Sequence, residues 1–199
     1  MADISKAKVI ILATHGFEQS ELMVPQRKLK EAGAEVVVVS PERGQIRGWK
    51  EKDWGESVAV DKSLDEVRAD DYDAIVLPGG QINPDLLRVN QKALQLVRAF
   101  LDSGKVVAAI CHAPWILVEL DAVRGLQVTS YKSIKTDVVN AGGKWVDQAV
   151  VTDRGIVTSR NPGDLDAFCA KIVEEIEEGT HSGRRTAAAS RSEQRTGVH

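Results

Sequence analysis

The chain is poor in cysteine: Cys111 and Cys169 are the only two among 199 residues. No C-x-x-C pair exists, so zinc sites built from cysteine pairs are excluded. No apolar run approaches the roughly 20 residues that a membrane helix needs, and the start, Met1 to Lys6, lacks the layout of a signal peptide. An excess of basic residues is also missing. The net charge is −3, whereas a nucleic-acid module shows a basic face. No glycine-rich G-x-G-x-x-G or G-x-x-x-x-G-K-[ST] follows any strand, which disfavours the phosphate-cradling nucleotide folds. A single domain in the cytoplasm with reduced thiols is therefore expected, and no cofactor or metal is called for.

The apolar content, 43 %, is that of a globular protein. Lys8–Ala13, Glu35–Ser40, Ala74–Leu77 and Val106–Ile110 are nearly continuous apolar stretches, the pattern of strands buried on both faces. Helical patterns alternate with them. One spans Ser20 to Ala32, with Pro25 expected to kink it or delay its start. Another spans Asn90 to Asp102, and a closing helix runs from Asp164 to Glu178. Cys169 falls on the apolar stripe of that last helix. Ala149–Thr152 and Gly155–Ser159 flank Asp153-Arg154 as a hairpin. The alternation predicts an α/β fold with a mainly parallel sheet covered on both sides and a small hairpin addition. Ile46 to Val60 carries Trp49 and Trp54 among charged residues. It fits either a hairpin that buries its indoles locally or a surface that meets another subunit. The domain is expected to end at residue 179. Residues 180–199 hold Arg184, Arg185, Arg191 and Arg195 against Glu193, and read as a disordered basic tail capable of at most weak contact with nucleic acid.

Chemistry concentrates at Ala108-Ala109-Ile110-Cys111-His112-Ala113-Pro114. A strand ends on a cysteine and a helix starts just after it, with Pro114 acceptable in its first turn. This is the layout of a nucleophile elbow, which lifts one side chain into the crevice beyond the sheet. A free thiol has a pKa of about 8.5, and a helix N-terminus lowers it. Cys111 is therefore expected to be a thiolate that attacks a carbonyl, although a small core cysteine fits the same pattern. The backbone N–H groups of Gly80 and His112 are the candidate oxyanion donors. Glu18 is the candidate carboxyl beside the sulfur, or simply a helix N-terminal acid. His112 is the candidate acid/base, or a helix residue facing solvent. His15 reads as a loop residue.

Taken together, several pieces of this chain resemble the PfpI family, in the superfamily of the parkinsonism-associated deglycase. They are Gly16-Phe17-Glu18, Leu77-Pro78-Gly79-Gly80, Ala109 to Pro114, Tyr131 with Ile134-Lys135 and Asp137, Asn140-Ala141-Gly142, Trp145-Val146-Asp147, and Thr158-Ser159-Arg160 with Pro162 and Asp164-Leu165. The resemblance spans about Lys8 to Ile176. It implies a flavodoxin-like three-layer sandwich with Cys111 as nucleophile, His112 as its partner and Glu18 beside the sulfur. It also implies an acidic residue reaching the histidine from a neighbouring subunit of a homodimer or hexamer. Asp85 occupies the matching position, where the family usually has glutamate. The implied activity is cofactor-independent chemistry on a small aldehyde such as methylglyoxal, or on early glycated groups, in a stress response. An intracellular cysteine peptidase and a non-catalytic redox sensor or stress chaperone are the alternatives. Glutamine amidotransfer is set aside because its histidine lies far downstream, and the only later histidines are His181 and His199.

Overall fold

A computed structural model describes residues 2–181. At its centre β1 (Lys8–Leu12) lies between β2 (Glu35–Ser40) and β6 (Ala74–Leu77), parallel to both. Between β2 and β6 the chain forms an antiparallel hairpin, β3 (Gln45–Lys50) and β4 (Asp53–Ala59), and a short edge strand, β5 (Lys62–Ser63). Beyond β6 come β7 (Val106–Ile110), two-residue strands β8 (Gln127–Val128) and β9 (Lys144–Trp145), and a second hairpin, β10 (Val150–Asp153) and β11 (Ile156–Ser159). The main sheet has seven strands in the order β10-β11-β7-β6-β1-β2-β5. Only β10 runs antiparallel to its neighbour. This is the expected α/β sandwich, and the apolar runs became its buried strands because helices cover both faces.

Successive strand residues alternate between the two faces. Ile10, Leu12, Ile75 and Leu77 pack with α3 (Gln91–Asp102) through Leu94, Val97, Phe100 and Leu101. Val9, Ile11, Val76 and Ile110 face the other way, onto α1 (Gln19–Glu31) and α6 (Leu165–Glu178) through Leu22, Leu29, Phe168 and Ile172. Cys169 is buried in α6 and is a free thiol, like Cys111. Pro25 does not delay the start of the helix: α1 begins at Gln19 and runs through Pro25 as one element. The remaining helices are short: α2 (Ile82–Leu87), α4 (Pro114–Glu119) and α5 (Lys135–Asn140). No helix among the described residues is long and apolar enough to cross a membrane.

The indoles of the β3–β4 hairpin pack on each other edge to face, 5.5 Å apart, and Trp54 stays 41 % exposed. The hairpin is fastened to the loop after β1. Gly16 N–H donates to the Arg47 carbonyl, Trp49 N–H donates to the Phe17 carbonyl, and His15 Nδ1 accepts from Arg47 N–H. His15 is thus a loop residue that fixes this hairpin. At the other end of the chain, ordered contact extends past the expected boundary at 179, because His181 N–H donates to the Gly104 carbonyl. The rest of the expected tail, 182–199, lies outside the described residues.

Parallel order puts the carboxyl ends of β1, β6 and β7 side by side. Asn83 ties two of them together. It is fully buried, its Oδ1 accepts from Thr14 N–H at 2.7 Å, and its Nδ2 donates to the Pro78 carbonyl at 2.8 Å. Asn83→Ala leaves these buried backbone groups unpaired, at about 1–3 kcal/mol each. The expected result is a loss of about 2–4 kcal/mol in urea unfolding; an unchanged midpoint would show that this tie contributes nothing.

Candidate active site

Cys111 sits between β7 and α4 with φ +64°, a left-handed conformation that is uncommon for a residue with a side chain. The end of β11 and the loop at Tyr131 hold it there. Cys111 N–H donates to the Ser159 carbonyl, and the Cys111 carbonyl accepts from Tyr131 N–H. The strained elbow turns the sulfur towards the loop after β6, so that the backbone N–H of Gly80 from that loop and the N–H of His112 from the elbow itself face it. Gly79 is required by close approach. A Cβ there would lie 2.6 Å from the Cys111 Cβ and 2.4 Å from a Glu21 carboxyl oxygen.

That carboxyl corrects the sequence-based expectation. Glu18 accepts from Ser20 Oγ and from Glu21 N–H, so it caps α1. The acid beside the sulfur is Glu21, one helical turn further on and completely buried. Glu21 Oε2 accepts from Gly79 N–H at 2.8 Å, while Oε1 is buried without a hydrogen bond of its own. The signal for Glu21 was its place on the buried stripe of α1 with Leu22, Pro25 and Leu29. A glutamate on an apolar helical face is seldom there for packing alone.

Electrostatics correct a second expectation. Burial raises the Glu21 carboxyl to about 8, helped by the nearby Glu18 charge, so Glu21 keeps its proton at neutral pH. Cys111 is not made acidic by a helix dipole. Burial raises its thiol above the ordinary cysteine range, and an ionised Glu21 raises it further, while the two backbone N–H groups oppose both. Helix α4 has only six residues, too few to offset that burial. Two negative charges are not sustained in so small a buried space. The sulfur is best able to carry one when Glu21 is protonated, for then the repulsion is gone and the Glu21 O–H is a third donor.

His112 lies on the other side of the sulfur, its Nδ1 3.1 Å from Sγ. The ring stacks on Tyr131 at 4.8 Å, meets the edge of Trp115 at 5.2 Å, and places Nε2 3.1 Å from Ser133 Oγ. Burial lowers its pKa, so the imidazole is neutral at neutral pH. Asp85 does not join this group within one protomer. It pairs with Arg88 at 3.0 Å, and the Arg88 guanidinium lies over Trp115. Ser133 therefore takes the place that an acid would occupy. Nothing in the serine's sequence surroundings marked it.

The model of the DJ-1/PfpI family matches residues 7–175. The chain belongs to the DJ-1/PfpI family. Among relatives within this DJ-1/PfpI family, the deglycase PfpI of Pyrococcus furiosus is 44 % identical over 166 residues, covering 83 % of this chain and 97 % of the relative. Protein/nucleic acid deglycase 2 of Escherichia coli is 44 % identical over 164 residues, covering 81 % and 92 %. The crystal structure of Drosophila melanogaster DJ-1beta superposes with a TM-score of 0.79 at 28 % identity, covering 95 % of this chain and 98 % of that one.

The order of the two ionisations sets the direction of a simple experiment. The raised thiol of Cys111 ionises above the pH at which Glu21 loses its proton, so the Glu21 charge opposes it. Glu21→Leu keeps the volume and removes that charge, so the pH midpoint for iodoacetamide labelling of Cys111 should fall by about one pH unit or more. A rise in the midpoint would mean that Glu21 stays protonated and acts as a donor to the thiolate.

Proposed function

We propose that this protein is a cofactor-independent cysteine enzyme that acts on reactive carbonyls, removing small dicarbonyls or the early adducts they form on amines and thiols. The observation that carries this reading is the sulfur of Cys111 facing two backbone N–H groups, with the His112 imidazole on one side and the buried Glu21 carboxyl on the other. The names of the two deglycase relatives support it.

His112 Nδ1, 3.1 Å from Sγ, takes the thiol proton as the Cys111 sulfur adds to the aldehyde carbon; the carbonyl π pair becomes an alkoxide, to which the ring returns that proton. The N–H groups of Gly80 and His112 are the donors for that oxygen. For methylglyoxal the product of addition is a hemithioacetal. Transfer of its C1 hydrogen as a proton through the enediol to C2 gives a thioester, and water then releases the hydroxy acid and the thiol. The neutral His112 ring is suited to take that proton, and Glu21 to return one. With a glycated amine, the hemiaminal loses water to give the imine, and the sulfur adds to that carbon. The C–N bond then breaks as the amine leaves with a proton, and water adds in its place to give the same hemithioacetal. A cavity of about 220 Å³ beside Tyr131, lined by Lys132, Trp145 and Arg160, has room for a small substituent.

Peptide hydrolysis is the weaker reading. An amide nitrogen must be protonated by a well-oriented acid before it leaves, and His112 turns its outer nitrogen to a serine rather than to a carboxylate. Assembly would change that. Ile82, Leu86 and Val89 leave apolar surface exposed on either side of Asp85, and a second copy of the chain covering them would bring Asp85 up to a neighbouring site.

Purified protein should consume methylglyoxal without glutathione. Cys111→Ala should fall to background, and Glu21→Gln should lose about 10²-fold or more in kcat. Equal turnover by Cys111→Ala would remove the proposal.

A further inference from the structure

At the opposite end of the sheet, roughly 16 Å along β7 from the Cys111 site, a second group of polar side chains converges. Helix α6 ends at Glu178, and Gly179 with φ +94° turns the chain back. His181 then settles on the loops that precede β7 and β11. Its N–H donates to the Gly104 carbonyl at 2.9 Å. Its ring lies so close on Gly155 that a Cβ there would come within 2.3 Å of Cδ2.

This seat aims the ring at α6. His181 Nε2 lies 3.0 Å from Glu175 Oε2, an ion-pair contact in which neither buried atom makes a hydrogen bond. The Glu175 side chain is only 6 % exposed. A buried carboxylate oxygen and imidazole nitrogen that face each other without a hydrogen bond keep capacity for a further partner. Glu178 stands three residues further along the same helix face. One ligand atom from each of the three residues lies within 4.8 Å of the other two.

A bound cation resolves this arrangement. Zinc bonds to imidazole nitrogen and carboxylate oxygen are about 2.0–2.2 Å, which places tetrahedral neighbours roughly 3.3–3.6 Å apart. The Nε2 to Oε2 separation, 3.0 Å, needs only to open by a few tenths of an ångström. One imidazole with two carboxylates suits zinc better than calcium or magnesium, which take oxygen ligands. The carbonyl end of the 14-residue α6 adds negative potential at the same place. The geometry points to a structural zinc site formed by Glu175, Glu178 and His181, with water completing the shell. The ion fastens the end of α6 over the amino ends of β7 and β11. This ligand set differs from the cysteine pairs that the sequence excludes, and it is separate from the chemistry at Cys111.

The test is titration of the full chain with zinc chloride by calorimetry, in wild type and in Cys111→Ser, so that binding to the thiol is recognised. One zinc per chain should persist in Cys111→Ser. Glu178→Gln, at the rim and harmless to folding, and His181→Ala should each weaken binding at least tenfold. Thermal unfolding of Cys111→Ser should shift upwards with zinc and lose that shift in His181→Ala. Absence of zinc binding in Cys111→Ser, or unchanged affinity in both Glu178→Gln and His181→Ala, would overturn the site and leave only a His–Glu contact.

Discussion

A carboxyl group with no access to water, pressed against a thiol, is the constraint around which the active end of this molecule is built. Burying Glu21 is expensive unless it stays protonated or gains donors, and the structure gives it one, from Gly79 N–H. That single bond needs the loop after β6 to pass close to both α1 and the elbow. Closeness in turn demands glycine at 79, and the positive φ at Cys111 aims the sulfur into the same small volume. Asn83 ties down the β1 and β6 loops from beneath. The parallel sheet supplies the rest, because only adjacent strand ends bring a helix start, a glycine turn and an elbow together.

Much of this was legible in the chain before any coordinates. The apolar strands and the elbow at Cys111 follow from runs whose length and composition admit little else. Glu18 and Glu21 show the limit. Both are acids near the start of one helix, and local rules favour the first as the functional one because it follows the strand most directly. Which carboxyl turns inwards depends on the helical phase, and a cap at Glu18 sets that phase so that Glu21 points to the core. Thiol acidity was misjudged for a related reason. Motif spacing reports the helix that follows Cys111 but not the hydrocarbon that surrounds it, and burial outweighs the field of a six-residue helix.

His112 illustrates how far one protomer goes towards a complete site. Its ring is fixed by stacking on Tyr131 and by Ser133, and burial keeps it neutral. A neutral, positioned imidazole suits proton transfer during carbonyl addition. It is less suited to expelling an amine from a peptide. Asp85, paired with Arg88 and flanked by exposed apolar side chains, is where assembly would alter that balance. At the far end of the sheet, His181 rests on Gly155 and its N–H donates to the Gly104 carbonyl, which ties the end of α6 to the loops before β7 and β11.

The central claim is that Glu21 is a neutral acid at neutral pH. Infrared difference spectroscopy of wild type against Glu21→Gln reads this directly. The account predicts the carbonyl stretch of a protonated carboxyl in wild type at neutral pH, fading as the pH is raised through about 8. A wild-type spectrum showing only the carboxylate bands at neutral pH would contradict it.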